Sequence, residues 1–156
     1  MFTQAILQFT PLVVGSLSGI STKDEINTWY RHLNEPVIKP PNWLFGPVWT
    51  SLYLMMGYAS TRIYNSNHVD STMALYIYGG QLLLNFLWTP LFFGKHWLGI
   101  SLMEIVAMDI AVIYTISKFI QIDKLSGQLL FPYLAWISFA TVLNFEYWRL
   151  NRTKSK

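Results

Sequence analysis

Three stripes of aromatic and amide side chains are the residues of this sequence best suited to bind a ligand. Gln81, Asn85 and Trp88 occupy positions i, i+4 and i+7, which places them on one face of a helix. The same spacing, or nearly the same, recurs in Trp49, Tyr53 and Met56, and in Trp136, Ala140, Leu143 and Asn144. Three helices that turn these faces inward would enclose a cavity walled by flat rings. Such a cavity suits a large planar or rigid apolar ligand.

Ordinary helix packing explains the same spacing equally well. Aromatic side chains at helical intervals usually form a core, and amides inside a membrane often hydrogen-bond one helix to another. Spacing alone therefore leaves both interpretations open.

The remaining polar residues carry few signs of catalysis. Glu104 and Asp109 lie roughly 140° apart on a helix, so they form no carboxylate pair, and each should meet a polar partner or a cation. His32, His68 and His96 all fall between the apolar stretches, where they cannot ligate haem from the interior. The sequence contains no cysteine, phosphate-binding glycine loop, zinc-ligand spacing or serine nucleophile elbow. We predict no metal site and no bound cofactor, and nothing in the sequence indicates an enzyme.

The composition favours a membrane protein. Of the 156 residues, 53% are hydrophobic and only 12% are charged, whereas soluble domains carry about 25% charged residues. A soluble helical bundle, which is the rival interpretation, needs a charged face on every helix, yet residues 98–116 contain only two charged side chains. The net charge of +3 arises largely in the C-terminal tail and forms no basic patch, so no nucleic-acid partner is predicted.

Apolar stretches separated by short polar connectors predict an all-α integral membrane bundle of five transmembrane helices. The chain forms one domain, 1–156, with helices at about 5–20, 45–64, 73–93, 97–120 and 128–148. The third and fourth helices should be antiparallel neighbours, because only a tight turn at Gly94-Lys95-His96 separates them. The small residues between Gly15 and Gly19 permit close packing inside the chain or, as the alternative, in a homodimer.

A proline-rich connector joins the first two helices. Pro36, Pro40 and Pro41 predict an extended, stiff segment, because each fixes its own φ and disfavours helix in the residue before it. Pro47 suits the first turn of a helix, so the second helix is predicted to begin close to Gly46 and Pro47.

Lysine and arginine are unevenly divided between the two predicted faces of the membrane. The face that holds the first connector and the C-terminus has eight of these residues: Lys23, Arg31, Lys39, Lys95, Arg149, Arg152, Lys154 and Lys156. The opposite face has three: Arg62, Lys118 and Lys124. Positive charge is retained on the cytoplasmic side of membranes. We therefore predict that the connector and the C-terminus face the cytosol.

A set of motifs covers nearly the whole chain. These motifs are Trp29-Tyr30 with Leu33 and Pro36, then Pro40-Pro41-Asn42-Trp43, Phe45-Gly46-Pro47-Val48-Trp49-Thr50, Gly80-Gln81-Leu82 with Leu84-Asn85, Pro90-Leu91-Phe92-Phe93-Gly94, and Pro132-Tyr133-Leu134-Ala135-Trp136 with Phe139-Ala140-Thr141 and Leu143-Asn144. In order and spacing the set resembles the TspO/MBR family, which comprises tryptophan-rich sensory proteins and translocator proteins, also called peripheral-type benzodiazepine receptors.

The resemblance implies a five-helix membrane protein whose cytosol-facing pocket is roofed by the first connector. It also implies binding of porphyrins, cholesterol-like sterols and benzodiazepine-site drugs. The positions that match the family's pocket are Trp49, Tyr53, Asn85, Trp136, Ala140 and Leu143. Trp29 and Trp43 would organise the roof, which Pro40 and Pro41 would make a preformed lid. We call these four residues the lid.

Two departures from the family pattern bear on ligand choice and assembly. Animal members end the last helix on a cholesterol-recognition pattern whose tyrosine position holds Phe145 here, although Leu143, Tyr147 and Arg149 restore the loose pattern as a sterol motif. Tyr76 replaces the first glycine of a GxxxG motif on the third helix, which weakens the case for a homodimer through that face.

The resemblance predicts a membrane receptor or carrier for tetrapyrroles such as protoporphyrin and haem, with sterols as further ligands. Two alternatives stay open. One is a light- or oxygen-dependent porphyrin-degrading enzyme that uses Trp49 and Trp136, and the other is a regulatory membrane partner without a ligand of its own. The expected location is the outer mitochondrial membrane in a eukaryote or the cytoplasmic membrane in a bacterium.

Overall fold

Residues 2–152 fold into six α-helices joined by short connectors. The computed structural model describes these residues, apart from the side chains of Ser21 and Lys23. The helices are α1 (Phe2–Asn27), α2 (Asn42–Asn65), α3 (Ser71–Thr89), α4 (Leu98–Ile122), α5 (Lys124–Gln128) and α6 (Phe131–Asn151). A 3-10 turn (Tyr30–His32) lies in the first connector, and a π-helical turn (Pro90–Gly94) follows α3. The predicted all-α class is confirmed.

The five long helices overlap the five predicted stretches, but they differ in how well they fit a bilayer. Among the described residues, α4 and the segment Lys124–Asn151 are long and apolar enough to cross a membrane. Phe2–Ile20 with Asp24–His32 is a third candidate if its 41° bend lies within one span. α2 and α3 do not meet the same test, and both contain tyrosine, tryptophan and amide side chains, which are less apolar than aliphatic ones. The count of five spans stays a prediction.

The prediction that the second helix begins at Gly46 and Pro47 is wrong. Pro41 has φ −57° and ψ 139°, and α2 begins directly after it at Asn42. Pro47 therefore lies inside the helix, where the carbonyl of Trp43 lacks its usual amide donor. The proline pair sets the start of the helix, because a residue that precedes proline is biased away from helical backbone angles.

The prolines had predicted an extended first connector, but the connector is not extended throughout. It contains the 3-10 turn and a second turn in which the Lys39 amide donates to the Pro36 carbonyl at 3.1 Å. The connector is also tied to the end of α6. The Asn34 amide donates to Asn151 Oδ1 at 2.8 Å, and Asn151 Nδ2 donates to the Asn34 carbonyl at 3.1 Å. These bonds fix the connector over one end of the bundle.

The third and fifth predicted helices also have boundaries that differ from those of the structure. α3 ends at Thr89 rather than near residue 93, because Pro90 has no amide to continue the helical ladder. The predicted helix 128–148 is replaced by α5 and α6, with Pro132 in the first turn of α6. Asp123 caps α5, since its Oδ2 accepts from the Ser126 amide at 3.0 Å.

α1 and α2 approach each other closely at two glycines. A Cβ atom built on Gly57 would lie 2.0 Å from the backbone oxygen of Gln8, and one built on Gly15 would lie 2.0 Å from Cε2 of Tyr53. The small residue at position 15 thus serves packing inside the chain. α4 packs against α3, as predicted, and also against α6.

Candidate ligand-binding cavity

A cavity of about 460 Å³ lies between α1, α2, α3, α4 and α6. Pockets for small molecules usually have volumes of roughly 300–1,000 Å³. None of the described residues that line it is charged. All six residues predicted to contact ligand line this cavity: Trp49, Tyr53, Asn85, Trp136, Ala140 and Leu143. The structure therefore brings the predicted contacts of three helices together around one space.

The rings of α2 and α6 form one wall of the cavity. Trp49 and Trp136 lie with their ring centres 6.5 Å apart and their planes at 89°. Tyr53 stacks on Trp49 at 5.3 Å, and Phe45 meets Trp136 edge-on at 5.7 Å. A flat ligand could stack on one indole while it meets the edge of the other, which is a favourable arrangement for aromatic rings.

A chain of buried hydrogen bonds supports this wall. The Tyr53 hydroxyl donates to Asn85 Oδ1 at 2.9 Å, and Asn85 Nδ2 donates to the Tyr133 hydroxyl at 3.1 Å. The Tyr133 hydroxyl in turn donates to Gln81 Oε1 at 3.0 Å. Asn85 thus joins α3 to both α2 and α6. The two interpretations of the amide stripe both apply, since Asn85 bonds helices together and also lines the cavity.

A second group of rings lies beside the π-helical turn. Trp88 stacks on Phe92 with ring centres 4.8 Å apart, and both line the cavity. Nε1 of Trp88 donates to Asn144 Oδ1 at 3.0 Å, and Nδ2 of Asn144 donates to the Leu98 carbonyl at 3.0 Å. These bonds fix the orientation of the Trp88 indole.

Two tyrosines close the cavity beneath the first connector. The Tyr147 hydroxyl donates to the Tyr30 hydroxyl at 2.7 Å, and both residues line the cavity. The ammonium group of Lys39 lies 5.1 Å from the centre of the Tyr30 ring, and it pairs with Glu35. The connector reaches the cavity through Tyr30.

The four lid residues lie outside the lining of this cavity. Pro40, Pro41 and Trp43 line a separate surface depression in the connector, and the Trp43 side chain is 72% exposed. Trp29 stacks on His96 at 4.0 Å, in the loop before α4. The residues at the start of α2 that do line the cavity are Asn42, Phe45 and Gly46.

The residues of the sterol motif separate into two environments. Leu143 and Tyr147 are buried and line the cavity. Arg149 is exposed and forms an ion pair with Glu146 at 2.6 Å, three residues earlier on the same helix.

The two acidic residues of α4 also differ from each other. Asp109 accepts from Ser138 at 3.2 Å and from Thr141 at 2.7 Å, so the expected polar partners are confirmed. Both carboxylate oxygens of Glu104 are buried, and neither has a hydrogen-bond partner among the described residues. The expectation that Glu104 meets a polar partner is therefore wrong in this structure.

Sequence reasoning missed the wall that α1 contributes. Leu12, Gly15, Gly19, Thr22 and Ile26 line the cavity from this helix. They recur at intervals of three or four residues, which is a helical face. The signal was present in the spacing, but small and aliphatic residues do not stand out as ligand contacts.

The family model of the TspO/MBR family matches residues 7–149 of this chain. The chain belongs to the TspO/MBR family. The tryptophan-rich protein TspO of Archaeoglobus fulgidus is 41% identical over 140 residues, which are 90% of this chain and 91% of that protein. The translocator protein of Homo sapiens is 39% identical over 126 residues, which are 79% of this chain and 75% of that protein. The tryptophan-rich sensory protein of Cereibacter sphaeroides is 43% identical over 123 residues, 79% and 77% of the two chains.

Membership confirms the resemblance that the motifs had indicated. Together with apolar helices long enough to cross a bilayer, it makes this TspO/MBR chain an integral membrane protein. The relatives come from an archaeon, a bacterium and a mammal.

Proposed function

We propose that this TspO/MBR chain is a membrane receptor or carrier that binds tetrapyrroles, such as protoporphyrin and haem, and rigid sterols in the cavity. The observation that supports this proposal most strongly is the uncharged cavity, walled by the indoles of Trp49, Trp88 and Trp136. Flat faces and edges favour a planar macrocycle, and the buried amides supply a few hydrogen bonds. Ala140 leaves room beside Trp136 for such a ligand.

Titration of the purified protein with protoporphyrin IX tests this assignment. Trp136→Ala removes a ring from the wall, so the affinity should fall by about tenfold or more, the equivalent of about 1.4 kcal/mol. Asn85→Ala should also weaken binding, because it removes a lining amide and frees Tyr53. Trp97→Ala is the matched control, since Trp97 is 49% exposed and does not line the cavity. Unchanged affinity in both cavity variants would refute the proposed site.

Degradation of porphyrin by the same cavity is the second candidate function. The close, perpendicular pair of Trp49 and Trp136 is the observation that favours it. Illumination of the complex in the presence of oxygen should then give new absorption bands only with the intact protein. Full turnover by Trp49→Phe would exclude a role for that indole. A protein that binds neither porphyrin nor sterol would instead favour the regulatory partner.

The lid is part of the same proposal, in the form of a preformed segment that covers the Tyr30 end of the cavity. Exchange of Pro40 and Pro41 for glycine should weaken protoporphyrin binding without loss of the helical fold, because the ligand must then order a flexible segment. Circular dichroism checks the fold. Equal affinity in this double variant would leave the prolines with a structural role only.

We further propose that the chain crosses the membrane five times as one domain, with the connector and the C-terminus in the cytosol. Residues 153–156 and the side chain of Lys23, which contributed to the charge count, lie outside the described residues. Val37 and Val69 are almost fully exposed in the first and second connectors. Because the chain has no cysteine, Val37→Cys and Val69→Cys can each be labelled alone. An impermeant maleimide applied from the cytosolic side should label position 37 and spare position 69.

A further inference from the structure

The helices α1 and α2 are in close contact along one half of their length. Near the start of α1, Gln4 Nε2 donates to Asn65 Oδ1 at 2.8 Å. The glycine contact with Gln8 follows, and the contact of Gly15 with Tyr53 comes next. The partners on α2 have lower numbers as those on α1 rise, so the two helices are antiparallel. Between Gln4 and Gln8 this interface is closed, and the cavity lining on α1 begins only at Leu12.

Beyond Gly15 the space beside two glycines of this interface is open. A Cβ atom built on Gly19 or on Gly46 would meet no heavy atom within 4 Å, and both glycines line the cavity. These residues occupy the faces that α1 and α2 turn towards each other, since Gly19 is one helical turn after Gly15 and Gly46 is two turns before Tyr53. The cavity therefore extends into the interface between α1 and α2.

The outer edge of this interface is exposed. Ser16 on α1 and Thr50 on α2 both line the cavity and are both exposed. Around the axis of α1, Ser16 is rotated by about 100° from Gly15, and around the axis of α2, Thr50 is rotated by about 60° from Tyr53. Because the two helices are antiparallel, both rotations bring the side chains to the same side of the helix pair. We call the opening flanked by Ser16, Gly19, Gly46 and Thr50 the α1–α2 gap.

The α1–α2 gap is suited to an apolar molecule. Its four flanking residues are small and uncharged, and the Thr50 hydroxyl donates to the Gly46 carbonyl of its own helix at 2.9 Å. Thr50 lies eight residues after Asn42, the first residue of α2, which is about 12 Å along the helix axis. In a spanning α2 this depth is inside the hydrocarbon layer rather than at the headgroups.

The connector side is the other route to the cavity, and bonded groups obstruct it. The hydroxyl pair of Tyr30 and Tyr147 lies beneath the connector, and the mutual hydrogen bonds of Asn34 and Asn151 hold the connector to α6. Entry from water would require these bonds to open. Entry through the α1–α2 gap requires none of them to open.

We propose that the ligand enters and leaves this cavity sideways, from the bilayer through the α1–α2 gap. The inference rests on the proposed function, and it narrows the ligand class to molecules that partition into lipid before they bind. A carrier of this kind would collect its ligand from the membrane and would not depend on the concentration dissolved in water.

A cross-link across the gap tests this route. Ser16→Cys/Thr50→Cys supplies two cysteines in a chain that otherwise has none, and a short bis-maleimide can join them. The protein in phosphatidylcholine vesicles is then mixed with vesicles that carry protoporphyrin IX, and tryptophan quenching is followed by stopped flow. The joined protein should show association and dissociation rate constants that both fall by about tenfold or more, with their ratio changed by less than about threefold. Gln4→Cys/Asn65→Cys, joined at the closed end of the same interface, should keep both rates.

The possible results separate the route from the function beneath it. If both rates of the joined gap pair equal those of the unjoined protein, or only dissociation changes, the route is wrong and the cavity assignment stands. If the unjoined protein does not bind protoporphyrin, the proposed function fails and the route fails with it. Ser16→Trp, which narrows the gap without a cross-link, should also slow both rates, whereas Gly79→Trp on an exposed part of α3 should slow neither.

Discussion

Replacement of Asn85 by leucine removes the amide that joins three helices. Leucine has a similar size and no hydrogen-bonding group. Tyr53 would lose its acceptor at 2.9 Å, and Tyr133 would lose its donor at 3.1 Å while it still donates to Gln81. Tyr53 and Asn85 are both buried, and the leucine side chain supplies no group that could replace the lost bonds.

The expected cost follows from the number of bonds broken. Hydrogen bonds between helices in a membrane protein contribute about 0.6 kcal/mol on average and up to about 1.7 kcal/mol. Asn85→Leu breaks two of them and should lower the free energy of unfolding by about 1–3 kcal/mol. Tyr53→Phe breaks one and should cost about half as much. In a protein that already carries Tyr53→Phe, Asn85→Leu should lower the free energy of unfolding by about 1 kcal/mol less than it does in the parent protein. The reason is that no Tyr53 hydroxyl is then left without an acceptor.

Unfolding of the four proteins of this cycle in mixed micelles, with increasing sodium dodecyl sulfate, measures these free energies. Tryptophan fluorescence reports the transition, and circular dichroism in the absence of denaturant checks that each variant is folded. Strict additivity of the two substitutions would refute the reasoning, since it would mean that the Tyr53–Asn85 bond contributes nothing to stability.

Two further predictions concern packing and charge. Gly57→Ala should destabilise the protein by about 1–3 kcal/mol, because the new Cβ atom would lie 2.0 Å from the Gln8 backbone oxygen. Gly79→Ala is the control and should not destabilise it, because its Cβ atom would meet no heavy atom within 4 Å. Equal melting temperatures of the two variants would contradict this prediction. Hydrogen bonds donated by Arg62 and by Ser126 hold the pKa of the Asp123 carboxyl well below its usual range. The ionised carboxylate therefore stabilises the fold above about pH 4, and this stabilisation is lost as the pH falls towards the pKa of the folded state. The melting temperature of Asp123→Asn, which keeps a helix-capping side chain, should therefore lie below that of the parent at pH 6, and the difference should shrink at pH 3; a constant difference would contradict the ion pair.

Helical spacing predicted the cavity wall more fully than it predicted helix boundaries. Trp49, Asn85 and Trp136 carry large or polar side chains on otherwise apolar helices, so their common face could be read from the sequence. Gly19 and Thr22 line the same cavity but lack such a signature. Their role depends on where α1 separates from α2, which is a property of the assembled bundle.

Other features depend on partners distant in the sequence. Asn34 meets Asn151 only because the connector folds back over the end of α6, and 117 positions separate the two. α5 has five residues, too few for a periodic pattern, and it forms where Asp123 caps it and binds Arg62. The start of the second helix was misplaced because Pro41 already fixes it at Asn42, so Pro47 lies inside the helix and leaves the Trp43 carbonyl without its usual amide donor.

A structure of this TspO/MBR chain with protoporphyrin IX bound would test the central claim most directly. We expect the macrocycle to lie in the 460 Å³ cavity, stacked on Trp49 or Trp136, with its edge towards the α1–α2 gap. A macrocycle bound on a lipid-facing surface or in the connector depression beside Trp43, with the cavity unchanged, would contradict it.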